Sequence, residues 1–461
     1  MRRFAYFFVF LCLGWVSCSK STLPVNENDK NQVVTEHLYN YELVFTDDAD
    51  FKPLSNNSYC EMGFSSEGCQ SLVTNLKNGV IEFIKSIDST IQVDKNHIRV
   101  YSEVSVYMEE LTASQYENLN RNSVALNYFS KQIFELQIRR PIMQSDFIEQ
   151  TRKPIMQEQL RYDSLSKSST MIQEIGGGQP GLPVQNHRVW IVDSGIDKNH
   201  QDLNFEPAQI DLSADFSVPS SNPKNDPFND ENGHGTFMAG VIGGLASSDP
   251  IYLNGYGVNG VYPNAKMISI KIFDKNDNTN TAEIVSALNH ILSNSISGDI
   301  VNLSWGSDIQ FGDCTAPQYL GIRTLILTLA NQGVKVVMSA GNSSKESLTN
   351  FPGCIDATNP NPTISNIYTI GSVEIPCSGT YLYSSFSDYG RPTVDYLAPG
   401  EDIFTTALGG EYVLVSGTSL SAAMFSGILY HNQGVGTLTT IKRGAATGDP
   451  DPDYPVAKIG N

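Results

Sequence analysis

The sequence predicts an α/β fold for most of the chain, a parallel sheet with helices on both faces, preceded by a small α+β domain. From residue 188 onward, short apolar runs alternate with helical patterns and glycine-rich turns, as expected for parallel strands buried on both faces. Residues 36–140 show the order strand, helix, strand, strand, helix, strand, which is the ferredoxin-like arrangement. The 461 residues are enough for about two or three domains.

Composition excludes one class of partner. Hydrophobic residues make up 40% of the chain, which supports a sizeable core. The formal net charge is −19, and no basic patch is present that could displace the counterions of nucleic-acid phosphates. We therefore expect no nucleic-acid partner. An acidic surface otherwise indicates solubility and not a particular fold.

The first residues are predicted to be an export signal. Two arginines precede an apolar run, residues 4–16, which has the length of a signal-peptide core and is too short to cross a membrane. Small residues before Cys18 resemble a lipobox, so residues 1–18 predict a lipoprotein-like signal peptide with lipid attached to Cys18. Simple secretion and a cytosolic chain with an apolar start are the alternatives. Polar residues 19–35 form a predicted linker.

The cysteines outside the signal suggest disulfide bonds, which an exported chain permits. Cys60 and Cys69 bracket one loop, and Cys314 and Cys354 flank two parts of the larger domain. Cys377 is then left over or competes for a partner, and the sequence leaves the connectivity open. No cysteine spacing is typical of a zinc site.

The small domain is predicted element by element from its hydrophobic periodicity. An alternating strand is followed by an amphipathic helix, a hairpin, a helix with a capping-box start and a final extended segment. These elements are expected at residues 41–45, 71–87, 98–101 with 104–108, from 112, and at 125–138.

Residues 141–181 are predicted to be a linker, because they are polar and then rich in glycine. Two similar strings, residues 139–144 and 152–157, each begin with a basic pair. The pairs are candidate processing points, and a chance repeat is the alternative.

Residues suited to nucleophilic catalysis occur at the ends of predicted strands and at helix starts of the larger domain, residues 182–461. Asp193 ends a buried strand, where parallel sheets place their chemistry. His234 is framed by glycines at a helix start and is a candidate base near neutral pH. Ser419 lies in a Gly-Thr-Ser turn before a helix of small residues, where free N–H groups face the reacting atoms. Alone, each residue fits a turn or a helix cap equally well.

Taken together, the motifs resemble the subtilisin-like serine protease family (subtilases). They are Val-Asp-Ser-Gly-Ile-Asp around Asp193, Gly-His-Gly-Thr around His234, Ala-Gly-Asn at Asn342 and Gly-Thr-Ser at Ser419, in that family's chain order. The resemblance covers residues 188–427. It implies that Ser419 is the nucleophile, His234 the base, Asp193 the residue that orients the base, and Asn342 a donor to the oxyanion.

The resemblance also implies how substrate would bind. Ser304, Trp305 and Gly306 would pair with the substrate main chain as an added strand. Ala340 and Gly341 would line the pocket for the side chain before the cut bond. The small domain resembles the inhibitory propeptide of this family, so a zymogen is expected, and a permanent accessory domain is the alternative. The expected partners are polypeptide substrates, the chain's own propeptide and, through Cys18, a membrane.

No cofactor is required by this chemistry, and a structural calcium is the one metal considered. Asp202 falls where the family often has a calcium ligand, and a loop with Asn254 and Gly257 could add oxygens. The helix after Ser419 lacks the proline and histidine usual in the family, and the tail 431–461 suggests that the family's closing helix is absent or reduced.

Two other functions are compatible with parts of this pattern. One is a catalytically silent surface binding protein built on a protease fold, which the complete Asp-His-Asn-Ser set argues against. The other is a nucleotide- or sugar-binding α/β protein, which would need a phosphate-binding glycine loop after the first strand. The Asp-Ser-Gly turn at residue 193 is not such a loop.

Overall fold

The structure is a computed structural model that describes most of the chain from residue 162 onward and parts of the region before it. The described residues are 39–45, 67–93, 98–100, 104–111, 115, 118, 126–130, 135–136, 139–143, 162–218, 225–247, 257–309, 314–316, 319–356, 365–375, 381–443 and 452–460. The expectations for Cys18, for residues 19–35, for Asn254, for Cys377 and for a Cys60–Cys69 bond lie outside the described residues or side chains.

The described strands fall into five sheets. In chain order they are β1 (Tyr39–Phe45), β2 (Ile98–Val100), β3 (Val104–Leu111), β4 (Leu126–Ser130), β5 (Glu135–Leu136), β6 (Arg139–Met143), β7 (Tyr162–Asp163), β8 (Ser168–Ser169), β9 (Val189–Asp193), β10 (Ala214–Asp215), β11 (Met267–Lys271), β12 (Ile300–Leu303), β13 (Trp305–Asp308), β14 (Lys335–Ser339), β15 (Asn350–Phe351), β16 (Ile367–Glu374), β17 (Leu382–Tyr383), β18 (Tyr396–Pro399), β19 (Ile403–Thr406), β20 (Tyr412–Ser416), β21 (Val435–Ile441) and β22 (Tyr454–Ile459).

The described helices are mostly short, and two of them carry candidate catalytic residues. They are α1 (Glu67–Ile87), α2 (Thr170–Glu174), α3 (Pro207–Leu212), α4 (His234–Gly243), α5 (Thr281–Asn294), α6 (Leu320–Asn331) and α7 (Thr418–Tyr430). Two 3₁₀ turns, Ser347–Thr349 and Leu408–Gly410, complete the set. No helix among the described residues is long and apolar enough to cross a membrane.

The main sheet has ten strands and is mostly parallel, which confirms the predicted α/β fold. Its order is β10-β11-β9-β12-β14-β16-β18-β22-β21, with β17 added to β16. Pairing is parallel from β10 as far as β22, and only β17 and β21 run antiparallel to their neighbours. The central strands β9, β12 and β14 are neighbours, so their carboxyl ends meet at one edge of the sheet.

Two hydrophobic clusters cover the two faces of this sheet. One contains Met238 of α4 and Leu420 of α7, and the other contains Ile284 of α5 and Ile326 of α6. All four side chains are fully buried. Fully buried strands explain why the sequence shows continuous apolar runs there and not an alternating pattern.

The N-terminal region forms a separate antiparallel sheet with the order β2-β3-β1-β4. Its elements match the predicted strand, helix and hairpin, and Gln115 and Asn118 are helical where the second helix was expected. Strand β3 approaches α5 of the larger fold within 8 Å between Cα atoms.

The extended segment predicted at residues 125–138 does not stay within this small sheet. Strand β4 belongs to it, but β5 pairs antiparallel with β13, and β6 pairs antiparallel with β20. Strands β5 and β6 were assigned to the small domain and to the start of the linker. Each of them instead belongs to a different sheet of the larger fold.

Part of the predicted linker is also folded. Residues 162–175 form β7, β8 and α2, and Met171 and Ile172 join the same hydrophobic cluster as α4. Tyr162 is buried and donates a hydrogen bond to the carbonyl oxygen of Gly257 at 2.8 Å. The sequence did not predict that this segment is folded, because most of its residues are polar and only a few side chains contact the core.

The C-terminal tail ends in a hairpin, where the sequence suggested only a missing or reduced helix. Strand β22 pairs parallel with β18 and antiparallel with β21, so the hairpin extends the main sheet. The side chains of Val456 and Ala457 are buried in the core. The glycines, prolines and aspartates that dominate the tail lie mainly between the two strands.

Candidate active site

Asp193 and His234 form a buried hydrogen-bonded pair. Asp193 is the last residue of β9, and His234 is the first residue of α4. The imidazole Nδ1 lies 2.8 Å from Asp193 Oδ1 and 2.9 Å from Oδ2, and both side chains are buried. A buried carboxylate at Nδ1 fixes the tautomer that carries its proton on Nδ1, so that Nε2 can accept a proton.

Gly235 allows the start of α4 to approach the turn after β9 closely. A Cβ atom on Gly235 would collide with the carbonyl oxygen of Gly195, in the turn after β9. Gly233, which caps α4, has φ = 103°, a conformation that favours glycine. The glycines on each side of His234 are therefore explained by backbone packing and turn geometry.

Asp230 supports this pair and was not among the residues predicted from the sequence. Its Oδ1 accepts from Ser194 Oγ at 2.9 Å and from the Gly233 N–H at 2.8 Å, and its Oδ2 accepts from Thr236 Oγ1 at 2.6 Å. The pKa of Asp230 is raised, chiefly by burial. Asp230 thus ties the turn after Asp193 to the start of α4. Its position four residues before His234 was the only sequence signal.

Ser419 is the second residue of α7 and is fully buried. Its Oγ donates to the carbonyl oxygen of Ser304 at 2.9 Å, and Ser304 Oγ donates back to the Ser419 carbonyl oxygen at 3.1 Å. Helix α4, which carries His234, packs against α7. Within the described residues His234 Nε2 has no hydrogen-bond partner. The hydroxyl is therefore held by Ser304 in this conformation and not by the imidazole.

Asn342 follows β14, and its side chain contacts the first residue of α7, the helix that carries Ser419. Its Oδ1 accepts two hydrogen bonds of 2.9 Å from Thr418, one from the backbone N–H and one from Oγ1. Its Nδ2 is buried and has no partner among the described residues. A buried amide donor left open beside a helix N-terminus is suited to bind a developing oxyanion.

The two predicted substrate-binding segments both contact the start of α7, through Ser304 and through Gly341. The main chain of Trp305 and Gly306 belongs to β13 and pairs with β5, while the Trp305 indole is buried and donates to the Val192 carbonyl oxygen at 3.0 Å. Ala340 is buried, and the Gly341 N–H donates to Thr418 Oγ1 at 3.3 Å. The backbone of β13, and not the tryptophan ring, is thus the part able to pair with another chain.

The Asp202 carboxylate is hydrogen-bonded on both oxygens, while the loop with Asn254 that was expected to add calcium ligands lies outside the described residues. The carboxylate accepts 2.7 Å hydrogen bonds from the Ser247 N–H, the Val258 N–H and Tyr412 Oη. Calcium needs six to eight oxygen ligands, and these donors already occupy the carboxylate. No group of three or more metal-binding side chains occurs within the described part of the chain. In the described residues Asp202 joins three segments of the chain, and a calcium at this residue stays a prediction.

An Asp–His pair, a serine at a helix start and an amide donor beside it define the class of serine hydrolases that use an Asp-His-Ser triad. Comparison with known families narrows the class. Residues 185–433 match Peptidase S8, the Subtilase family, and the chain belongs to this family.

Curated relatives agree with this placement. Subtilisin-like protease 2 of Plasmodium falciparum (isolate 3D7) is 31% identical over 260 residues, which are 54% of this chain and 17% of that protein. Subtilisin E of Bacillus subtilis (strain 168) is 30% identical over 247 residues, which are 54% of this chain and 55% of that protein. The aligned part is therefore about half of Subtilisin E and a smaller share of the Plasmodium protein.

Solved structures include similar chains. The crystal structure of a cold adapted subtilisin-like serine proteinase is 23% identical, with a TM-score of 0.41, and the match covers 57% of this chain and 84% of that one. A second structure, the S41 psychrophilic protease, is also 23% identical, with a TM-score of 0.44.

Proposed function

We propose that the protein is a serine endopeptidase that hydrolyses peptide bonds through an acyl-enzyme on Ser419. One observation carries the proposal: two buried groups, His234 Nε2 and Asn342 Nδ2, lack partners among the described residues and belong to the segments that surround Ser419. A base and an oxyanion donor are the two functions that a serine nucleophile needs beside it.

The chemistry follows from these groups. Ser419 Oγ attacks the carbonyl carbon of the substrate after its proton passes to His234 Nε2, and Asp193 stabilises the resulting imidazolium. The negative oxygen of the tetrahedral intermediate accepts from Asn342 Nδ2 and from the Ser419 N–H, and such a donor contributes about 2.7–4 kcal/mol in subtilisin. The imidazolium then protonates the leaving amine, and water repeats the sequence on the ester.

One step precedes attack. The Ser419 hydroxyl has to leave the Ser304 carbonyl oxygen and turn toward His234 Nε2, because only the imidazole can accept its proton. Hydrogen bonds of this kind often form only when substrate is bound.

Substitution of the nucleophile tests the proposal. Ser419→Ala is expected to lower turnover of a casein substrate by several orders of magnitude, while Ser421→Ala should retain it. Ser421 is buried in the same helix, and its Oγ has no partner among the described residues, so it is a matched control. A fluorophosphonate should label the unaltered chain at Ser419. Normal turnover by folded Ser419→Ala, or an absence of labelling, would instead support a silent binding protein.

We further propose that the chain is made as a zymogen and that residues 36–140 act as its inhibitory segment. Support comes from β5 and β6, which pair with β13, the strand directly after Ser304, and with β20, the strand that ends three residues before Ser419. Leu136 stands opposite Trp305, and Arg139 stands opposite Ser416, three residues before the nucleophile. A chain that runs antiparallel along both strands occupies the positions a substrate would take.

This pairing favours processing between Leu136 and Arg139, not at the basic pair 152–153. N-terminal sequencing of the mature protein should give residue 137, 138 or 139, and the Ser419→Ala chain should stay uncut. A first residue within 141–181 would contradict this cleavage position. Separately expressed residues 36–140 should slow the mature enzyme, and a lack of inhibition at micromolar concentration would contradict the inhibitory role.

Export and lipid attachment at Cys18 complete the proposal. Support is confined to the sequence of residues 1–18. Detergent extraction of the unaltered chain and of Cys18→Ser from cell envelopes separates the anchored from the secreted form. Release of only the variant into the medium is the expected result, and equal release of both would contradict the lipid anchor.

A further inference from the structure

The turn after β14, which carries Asn342, is bonded to a second loop segment. We call residues 341–347 the Asn342 turn and residues 386–390 the support segment. The Ser344 N–H donates to the Phe386 carbonyl oxygen at 2.9 Å, and two more backbone hydrogen bonds, of 2.9 and 2.6 Å, join the segments further along. The position of the Asn342 turn therefore depends on the position of the support segment.

The C-terminal hairpin, strands β21 and β22, contacts the support segment from its other end. Tyr454 begins β22 and is fully buried, and its Oη accepts a hydrogen bond from the Gly390 N–H at 3.0 Å. Its ring meets the ring of Tyr383 edge-on, with 5.1 Å between centroids. Tyr383 Oη in turn donates to the Asp388 carbonyl oxygen at 2.9 Å. The hairpin thus fixes the backbone of the support segment.

Arg443 follows β21 by two residues and contacts both segments at once. Its guanidinium carbon lies 3.2 Å from the centroid of the Tyr389 ring, in the support segment. Its Nη2 donates to Ser344 Oγ at 3.2 Å, in the Asn342 turn. A planar guanidinium can stack on a ring and donate at its edge at the same time, which a lysine cannot do. One side chain of the tail therefore links the two segments.

The backbone of the Asn342 turn needs such contacts. Ser344 has φ = 55°, a region that few residues other than glycine adopt. Such a conformation persists only where surrounding contacts maintain it. The Phe386 carbonyl oxygen holds the Ser344 backbone, and Arg443 holds its side chain. Because Asn342 is two residues earlier, a relaxed turn would displace its buried Nδ2, the proposed oxyanion donor.

We propose that Arg443 is a positioning residue for Asn342, so that the C-terminal hairpin takes part in catalysis and does not only extend the main sheet. Arg443 does not touch the substrate in this proposal. It acts through Ser344 and Tyr389, and Tyr454 supports it by holding the other end of the support segment. The inference rests on the proposed peptidase function and adds a part of the chain that the active-site motifs do not include.

Arg443→Met tests the link, because methionine keeps an extended apolar side chain and lacks the guanidinium. Removal of a whole oxyanion donor costs about 100- to 1000-fold in kcat, and a displaced donor should cost less. The kcat of the mature enzyme on one peptide substrate is therefore expected to fall about tenfold, while KM changes less than about threefold.

A pair of peptide inhibitors separates positioning from a general effect on the fold. A peptide aldehyde reacts reversibly with the enzyme: Ser419 Oγ adds to the aldehyde carbon, the serine proton passes to His234, and the aldehyde oxygen becomes the negative oxygen that Asn342 binds. The matching peptide alcohol binds without this bond. In Arg443→Met the Ki of the aldehyde should rise about tenfold, while the Ki of the alcohol changes less than about threefold.

Two further variants complete the test. Lys442→Met is the matched control, because Lys442 is the neighbouring cation, is exposed and pairs only loosely with Asp453, at 3.9 Å. It should leave kcat and both Ki values unchanged. Ser344→Ala removes the acceptor and leaves Arg443 in place, so kcat should fall about threefold, with less than about a twofold further loss when it is added to Arg443→Met.

The results separate the two levels of the proposal. Cleavage of the peptide by the unaltered enzyme establishes the peptidase independently of Arg443, and its absence refutes the peptidase function itself. Thermal unfolding identifies the variants that fold, and Ser344→Ala alone decides if Arg443→Met does not. If the folded variants keep kcat and the Ki of the aldehyde, or if the aldehyde and the alcohol lose affinity equally, the role of Arg443 is refuted while the peptidase function stands.

Discussion

Asn342 and Thr418 are joined by two hydrogen bonds of 2.9 Å, which turn the Asn342 carbonyl toward the start of α7 and leave its Nδ2 open. The two residues come from different elements, the turn after β14 and the first residue of the helix that carries Ser419. Because Oδ1 has two donors, the amide cannot rotate by half a turn without losing both bonds. Thr418 therefore orients the proposed oxyanion donor.

Thr418→Val should weaken this orientation. The variant keeps the shape and the backbone N–H bond but loses the bond from Oγ1, so kcat is expected to fall about tenfold with little change in KM. Removal of a whole oxyanion donor costs about 100- to 1000-fold in kcat, and a misoriented donor should cost less. Peptide hydrolysis at saturating and at low substrate concentration separates the two constants.

Thr418→Ser is the control, since it restores the hydroxyl and should recover most of the lost kcat. If valine and serine at this position give the same kcat, the hydroxyl of Thr418 does not orient Asn342.

The candidate catalytic residues that the sequence singled out lie at the ends of buried strands or at helix starts. Asp193, Asn342 and Ser419 each follow an apolar run, and the order of strands in a parallel sheet brings such ends together. The Cys314–Cys354 pairing, one of two pairs considered, is confirmed by the structure. In these cases the local pattern contains most of the information needed.

Other features depend on partners that are distant in sequence. Asp230 accepts hydrogen bonds from the turn after β9 and from α4, but the sequence around it is typical of an ordinary loop. The pairing of β5 with β13 joins residues about 170 positions apart. The three hydrogen-bond donors around Asp202 come from residues 247, 258 and 412, and the sequence near Asp202 does not indicate them. The type of a residue does not indicate which residues distant in sequence it will contact.

The disulfide between Cys314 and Cys354 should contribute strongly to stability. It closes a loop with a sequence separation of 40 and joins the segment after β13 to the segment after β15. In the chain-entropy description a loop of this length is worth about 4 kcal/mol, so the double variant Cys314→Ser with Cys354→Ser should unfold at a lower temperature. Thermal unfolding with and without a reductant measures the effect.

The reductant provides the control for this prediction. In the mature enzyme, from which residues 60 and 69 have been removed, it should lower the unfolding temperature of the unaltered protein toward that of the double variant and leave the double variant unchanged. If the unaltered protein and the double variant unfold at the same temperature without a reductant, this bond does not stabilise the fold.

Glu283 should make stability depend on pH. It is the third residue of α5, where its carboxylate accepts from the Asn280 N–H at 3.0 Å. Burial raises its pKa to about 8 from an ordinary value of 4.5. Between these values the folded chain binds the proton and the unfolded chain does not, so the stability due to this group is full below pH 4.5 and is lost as the pH rises toward 8.

Glu283→Gln removes this dependence, because glutamine is neutral and can still accept the same bond. The free energy of unfolding of the variant minus that of the unaltered protein should therefore be larger at pH 8 than at pH 5, and each tenfold difference in proton affinity corresponds to about 1.4 kcal/mol. Urea unfolding at both pH values measures the difference. The same difference at both would contradict a raised pKa.

Asp388 should act on catalysis through the turn that carries Asn342. Its Oδ1 accepts from the Ser343 N–H at 2.8 Å and from the Lys345 N–H at 3.1 Å, and its own N–H donates to the Gly341 carbonyl oxygen at 2.9 Å. Burial raises the pKa of this carboxyl group to about 6. Asp388 thus holds the backbone on both sides of Asn342, with its carboxylate after Asn342 and with its own N–H before it.

Asp388→Ala removes the acceptor for both N–H groups, so kcat is expected to fall about tenfold or more with KM nearly unchanged, while Asp388→Asn keeps an acceptor oxygen and should retain most of kcat. Because Asp388 would act only by positioning Asn342, Asp388→Ala should have much less effect on kcat when it is combined with Asn342→Ala. Full additivity of the two substitutions, measured with one peptide substrate at pH 8, would mean that Asp388 stabilises the fold without positioning the oxyanion donor.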